Sequence, residues 1–109
     1  MEITENKLNS ATVLALTGRL DGLASPALEK KIDALLAAGN RTLVLDCARL
    51  DYVSSAGLRV FLTTAKKTKA AGGKAAFAAL TPGVREIFEL SGFLAVLEVH
   101  PTAAAAAGA

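Results

Sequence analysis

The chain has a single cysteine, a single histidine and no tryptophan. With only Cys47 available no internal disulfide can form, so a reducing compartment suits the protein. Cys47 lies in an apolar run just after Asp46, far in sequence from the lone His100. It reads as a packed thiol rather than a nucleophile. No cysteine or histidine pair has metal-ligand spacing, no serine has a histidine and an acid nearby, and no phosphate-binding loop of the Walker type occurs. These gaps lead us to expect neither catalytic residues, metal, cofactor nor enzyme activity. A concentrated basic face is also missing. The formal net charge is +2, and the densest basic spots, Lys30-Lys31 and Lys66-Lys67-Lys69, fall in helical patterns where they serve as solvated faces. Direct nucleic-acid binding is therefore not expected. No apolar run reaches the length of a membrane span, and MEITENKLNS has no apolar stretch behind a basic start. A cytoplasmic protein is the expectation.

What remains is aliphatic. Just over half of the 109 residues are apolar while aromatics make up 5%, so the core must be built from Leu, Val and Ile with a few Phe. The length suits one domain. Ile3 to Leu8 and Thr12 to Leu16 alternate as strands about a turn at Asn9-Ser10, a hairpin. Ser25-Pro26 predicts a helix start, with Ser25 as N-cap and Pro26 at the first helical position. Leu28, Ile32, Leu35 and Leu36 keep helical spacing up to Gly39-Asn40. Thr42 to Asp46 is a short apolar run of the kind found in strands buried on both faces. Leu50 to Val53 then connects to Ser54-Ser55, after which Leu58, Phe61, Leu62 and Ala65 form a second helical stripe ended by Gly72-Gly73. Lys74 to Leu80 predicts a strand, and Thr81-Pro82 repeats the cap-and-proline device before Val84, Ile87 and Phe88. Phe93 to Val99 supplies a last short strand. The order β-β-α-β-α-β-α-β predicts an α/β domain with a mixed sheet of four or five strands and amphipathic helices mainly on one face. Residues 1–100 form the expected domain. The Ala-rich 101–109 is expected to be a flexible tail, because so short a segment can be helical only if docked.

Two places stand out on the expected surface. Ser54-Ser55 sits where an apolar connector gives way to an amphipathic helix. A serine there is a favoured N-cap, which accounts for one hydroxyl better than for two. The same position would tolerate a phosphate, since a helix start offers free N–H groups and the positive end of the dipole, while a close-packed partner would meet new bulk and charge. Both readings stand on the residues alone. Asp21, in Gly18-Arg19-Leu20-Asp21, could cap a turn or present a charge beside the first helix.

In this order and spacing the chain resembles the STAS domain, in particular the stand-alone bacterial anti-sigma factor antagonists. Leu16-Thr17-Gly18-Arg19-Leu20-Asp21 is similar to the family's strand end. Leu43-Val44-Leu45-Asp46 through Tyr52-Val53-Ser54-Ser55-Ala56-Gly57-Leu58 is similar to its central strand and phosphorylation signature. Gly73-Lys74, Thr81-Pro82, Val84, Ile87, Phe88 and Ser91-Gly92-Phe93 match its later strand and helix. The family signature reads Asp-Ser-(Ser or Thr)-Gly-Leu. Anchoring on Gly57-Leu58 places Ser55 at the phosphorylated position, with Ala56 at the Ser/Thr position and Ser54 in place of the acid. The resemblance implies partner contacts at Asp21, Ser54, Ser55, Ala56 and Gly57. It implies a monomer that binds an anti-sigma factor serine kinase of the ATPase-fold type, leaves it on phosphorylation of Ser55, and is reset by a phosphoserine phosphatase. The alternative is a STAS interaction module in another assembly, a lipid-transport complex or a stressosome-like scaffold, without a phospho-switch.

Overall fold

A computed structural model describes residues 1–108. Its elements are β1 (Glu2–Leu8), β2 (Ala11–Leu20), α1 (Ser25–Ala37), β3 (Thr42–Val53), α2 (Ser55–Ala70), β4 (Lys74–Ala78), α3 (Pro82–Ser91), a 3₁₀ turn (Phe93–Ala95), β5 (Glu98–His100) and α4 (Ala103–Ala106). One five-stranded sheet runs in the order β1-β2-β3-β4-β5. β1 pairs antiparallel with β2, and the other pairs are parallel. This is the α/β mixed sheet that the pattern of helices and strands predicts.

The two faces of the sheet are covered unequally. Leu14, Leu16, Leu43, Leu45, Cys47 and Phe77 face α1, α2 and α3 and meet Leu28, Ile32, Phe61 and Phe88 in the main core. Three of the four phenylalanines concentrate there. The Phe61 and Phe77 ring centroids lie 4.8 Å apart, and Phe88 stands edge-on to both at 6.0 and 6.1 Å. Such edge contacts add to the area that the rings bury. On the opposite face Ala11, Val13, Val44, Ala76 and Ala78 form a thin second layer capped by Ala106 of α4. The alanine-rich end, expected to be flexible, thus docks in the described residues. Small residues on both sides let the helix lie close to the strands, and docking offsets the cost of ordering so short a segment. Thr102 helps by accepting a bond from the Ala105 amide at 3.1 Å.

Several local features depart from the sequence expectations. Thr42–Val53 is one strand rather than a strand and a connector. Its register against β2 slips between Ala15 and Thr17 and again between Gly18 and Arg19, so bulges absorb the extra residues and break the simple alternation. Phe93 to Val99 divides into the 3₁₀ turn and the short β5. Thr81 holds the cap position of α3 without capping it. Its hydroxyl instead donates to the Leu50 carbonyl at 2.9 Å, pinning the helix start to the bulged part of β3. At Gly73 an added Cβ would sit 1.8 Å from the Arg41 carbonyl oxygen. The strand backbones close there through Lys74 N–H donating to Arg41 O at 2.8 Å, which explains the second glycine after α2.

Candidate functional site

The carboxyl ends of β2 and β3 deliver Asp21 and Ser54 to the same end of the sheet. Leu20 pairs with Val53 as the last register pair, and the next amide, Ser54 N–H, donates to Leu20 O at 2.8 Å. From this junction one chain segment turns into α1 and the other into α2.

Asp21 caps the turn that leads into α1. Its Oδ1 accepts from the Leu23 amide at 3.1 Å and the Ala24 amide at 2.9 Å. The Asp21 carbonyl also accepts from Ser25 N–H at 3.0 Å and from the Ser25 hydroxyl at 2.6 Å. Ser25 therefore does not cap, contrary to the sequence expectation. The helical turn already begins at Asp21, so the serine hydroxyl falls inside it and bonds backward. The hydrogen bond from Ala24 outweighs the opposing desolvation and, with the Leu23 amide and the nearby charge of Arg19, holds the Asp21 carboxyl below its ordinary value. Asp21 is a fixed negative charge at a helix start, where the dipole favours one.

The two serines divide their roles. Ser54 is the N-cap of α2, and its Oγ accepts from Gly57 N–H at 3.2 Å. Ser55 is the first helical residue and is exposed. Ala56 is partly covered and Gly57 is buried. A Cβ on Gly57 would come within 2.8 Å of both Leu20 Cγ and Val53 Cγ2 and 2.9 Å of Leu20 O. The close approach that this glycine permits is thus between α2 and its own sheet.

A shallow cleft of about 210 Å³ runs between the two helix starts, with Gly22, Pro26 and Glu29 on one wall and Ala56, Arg59 and Val60 on the other. The structure therefore brings together the Asp21 loop and the Ser54–Gly57 turn, which are more than thirty positions apart in sequence. Three neighbours were not singled out from sequence. Leu23 is 92% exposed beside Asp21; placed between Gly22 and Ala24 it carries no signal of its own. Arg19 stacks over the Tyr52 ring at 4.3 Å, a pairing set by the register of β2 and β3. Arg59 follows Ser55 by four residues, a spacing that was legible.

Elsewhere the chemistry is quiet. Burial, followed by the charge of Asp46, pushes the Cys47 thiol up to about 12, and its Sγ lies 3.6 Å from the Leu45 carbonyl. His100 Nε2 lies 2.6 Å from Glu98 Oε2, with Lys74 on the same carboxylate at 3.5 Å, on the β4–β5 edge. No group of three or more metal-ligating side chains occurs among the described residues, and no helix there is long and apolar enough to cross a membrane.

Comparison with known proteins gives a consistent result. The sequence profile of the STAS domain matches residues 2–106. BtrV of Bordetella bronchiseptica, a proposed anti-sigma factor antagonist, is 40% identical over 109 residues, all of this chain and 94% of that protein. An anti-sigma factor antagonist from Mycobacterium paratuberculosis superposes with a TM-score of 0.86 at 26% identity, covering 96% of this chain and 89% of that one. The anti-sigma factor antagonist SpoIIAA of Bacillus, in its unphosphorylated form, gives 0.80 at 24% identity over 94% and 90% of the two chains; at that identity the likeness is one of fold.

Proposed function

The chain belongs to the STAS domain family, and from that membership we propose that it is an anti-sigma factor antagonist working by partner switching. Unmodified, it binds an anti-sigma factor serine kinase of the ATPase-fold type through the end of the sheet that carries Asp21 and Ser55. The sigma factor held by that kinase is thereby freed. The kinase then moves the γ-phosphoryl group of ATP to Ser55 Oγ; the O–P bond forms, the hydroxyl proton leaves, and ADP departs. A phosphoserine phosphatase returns the chain to its binding form. The protein acts as a monomer in the cytoplasm and catalyses nothing itself.

The observation that carries this reading is the division of labour between the serines. Ser54 Oγ is committed to Gly57 N–H, whereas Ser55 stands exposed on the first turn. A phosphate there would meet the positive end of α2, so the fold is not asked to change, while the docking surface gains between one and two negative charges. The family's acid at position 54 is also accounted for physically. Aspartate and serine are about equally good N-caps, so Ser54 keeps the capping half of that residue's role. The relation to BtrV, which spans the whole chain, supports the antagonist role.

The test is to incubate the chain with its kinase and ATP and locate the phosphate by mass spectrometry. Phosphate is expected on Ser55 and absent from Ser55→Ala; transfer to Ser54 in that variant would overturn the assignment. Ser55→Asp should bind the kinase at least tenfold more weakly, a loss of only about 1.4 kcal/mol. Unchanged affinity would defeat the charge switch.

A further inference from the structure

We propose that Arg59 is the intrachain partner of the Ser55 phosphate, so that modification engages an exposed cation at the same moment as it adds an anion. This rests on the reading of Ser55 as the modified residue and names what regulates that site.

Both residues lie on α2, with Ser55 at its first position and Arg59 four residues on. Residues at this spacing are neighbours on one helix face. The Cα–Cβ bonds of a helix tilt toward its N-terminus, so a side chain as long as that of Arg59 can reach back over the turn that holds Ser55. Both residues are exposed. The guanidinium forms no ion pair among the described residues. The nearest acid across the cleft, Glu29, has its carboxylate 3.8 Å from Lys67 instead. The remaining cations of α2, Lys66, Lys67 and Lys69, lie about two to three turns further along, and Lys67 is bonded to Asp33 at 2.8 Å. Of the cations on α2, Arg59 is thus the one without a carboxylate partner in reach of the first turn, while Arg19 at the same end of the sheet lies over the Tyr52 ring at 4.3 Å. Its planar fork suits two phosphate oxygens at once. The consequence is that the docking surface loses a free guanidinium as well as gaining a phosphate. A partner that meets a free Arg59 in the unmodified protein meets a neutralised guanidinium and the residual phosphate charge in the modified one.

The experiment places phosphoserine at position 55 during synthesis, without any kinase, and follows the second ionisation of the phosphate by ³¹P NMR. The parent, Arg59→Ala and Arg59→Lys chains are compared. Glu29, Asp21 and Arg19 also bear on the phosphate, but they are present in all three and cancel in the comparison. The phosphate should titrate lower in the parent than in Arg59→Ala by about 0.3 pH unit, the size of an exposed pair at this spacing. Arg59→Lys should recover part of the difference, and added salt should shrink it. Identical titrations in the parent and Arg59→Ala would overturn the pairing. Because no kinase is used, that result would leave the kinase reading standing, just as failure of a kinase to modify Ser55 would leave this titration unaffected.

Discussion

Ser54 N–H donates to Leu20 O across 2.8 Å, and this single bond joins the start of α2 to the end of β2. Asp21 follows Leu20 directly and Ser55 follows Ser54 directly, so the two candidate contact residues are held by one junction. The spacing between them is a property of the sheet rather than of two independent loops. Residues placed on rigid elements in this way lose little entropy when a partner closes over them.

Gly57 is the weak point of that junction. Alanine there would gain about 1 kcal/mol of helix propensity. It would also press a methyl group within 2.8 Å of Leu20 Cγ and Val53 Cγ2 and 2.9 Å of a backbone oxygen that cannot rotate away. Overpacking of this kind costs about 1–3 kcal/mol, so a net loss of about 1 kcal/mol is expected for Gly57→Ala. Urea denaturation would measure it. Kinase affinity should fall as well, because α2 must lift from the sheet; a variant as stable as the parent would show that the helix start yields freely.

Ser54 and Ser55 should respond differently to the same substitution. Ser54→Ala removes the cap on Gly57 N–H and should cost about 1 kcal/mol, whereas Ser54→Asp should keep the cap and stay within a few tenths of the parent. Ser55→Ala breaks no hydrogen bond of the described residues and should leave the melting temperature nearly unchanged. Equal losses at the two positions would mean that the hydroxyls share the capping role.

How much of this was legible beforehand depends on the range of the interaction. The heptad-like spacing of Leu28, Ile32 and Leu35 and the run Thr42 to Asp46 mark a helix and a buried strand because periodicity is local, and both elements are present. The Ser54-Ser55 helix start was visible for the same reason. Serine before proline is a strong local signal for the cap of α1, yet Ser25 bonds backward, because the turn leading into the helix starts four residues earlier at Asp21, which only the path of β2 decides. Likewise the bulges of β3, the Thr81 bond to Leu50 and the Leu20–Gly57 contact depend on register between strands far apart in sequence. Leu23 stayed invisible because exposure is not a property of a leucine but of its surroundings.

Asp21 gives a pH signature. The amides of Ala24 and Leu23 favour its charged form and lower its folded value below the ordinary 3.8. Such a group contributes stability that is fully present above the unfolded value and is lost as the pH falls through the folded one. Asn caps about as well as Asp but does not titrate. Asp21→Asn should therefore match the parent's fold at neutral pH while losing less stability than the parent on acidification below 3.8. Parallel pH profiles of the two would mean that the carboxylate bonds contribute nothing. Kinase binding should also drop in this variant at neutral pH, where the charge is the only thing removed.

The alanine-rich end offers the sharpest contrast between composition and packing. Composition alone leaves Ala103 to Ala109 without a reason to be ordered. In the structure Ala106 is fully buried against the face that carries Val13, Val44, Ala76 and Ala78, with Ala103 and Ala107 packed beside it. Truncation after Thr102 would uncover that layer. Each buried methyl-sized group contributes about 0.8 kcal/mol, so a loss of about 1–2 kcal/mol is expected from removing Ala106 and its partly buried neighbours. The main core on the other face would remain, so the truncated chain should still fold and still dock through the Asp21 and Ser55 end, which lies at the ends of β2 and β3 away from α4's contacts. Calorimetry should find a lower melting temperature with unchanged kinase affinity. A melting temperature equal to the parent's would show that the docked helix adds nothing, and a loss of binding would place α4 in the path of the partner.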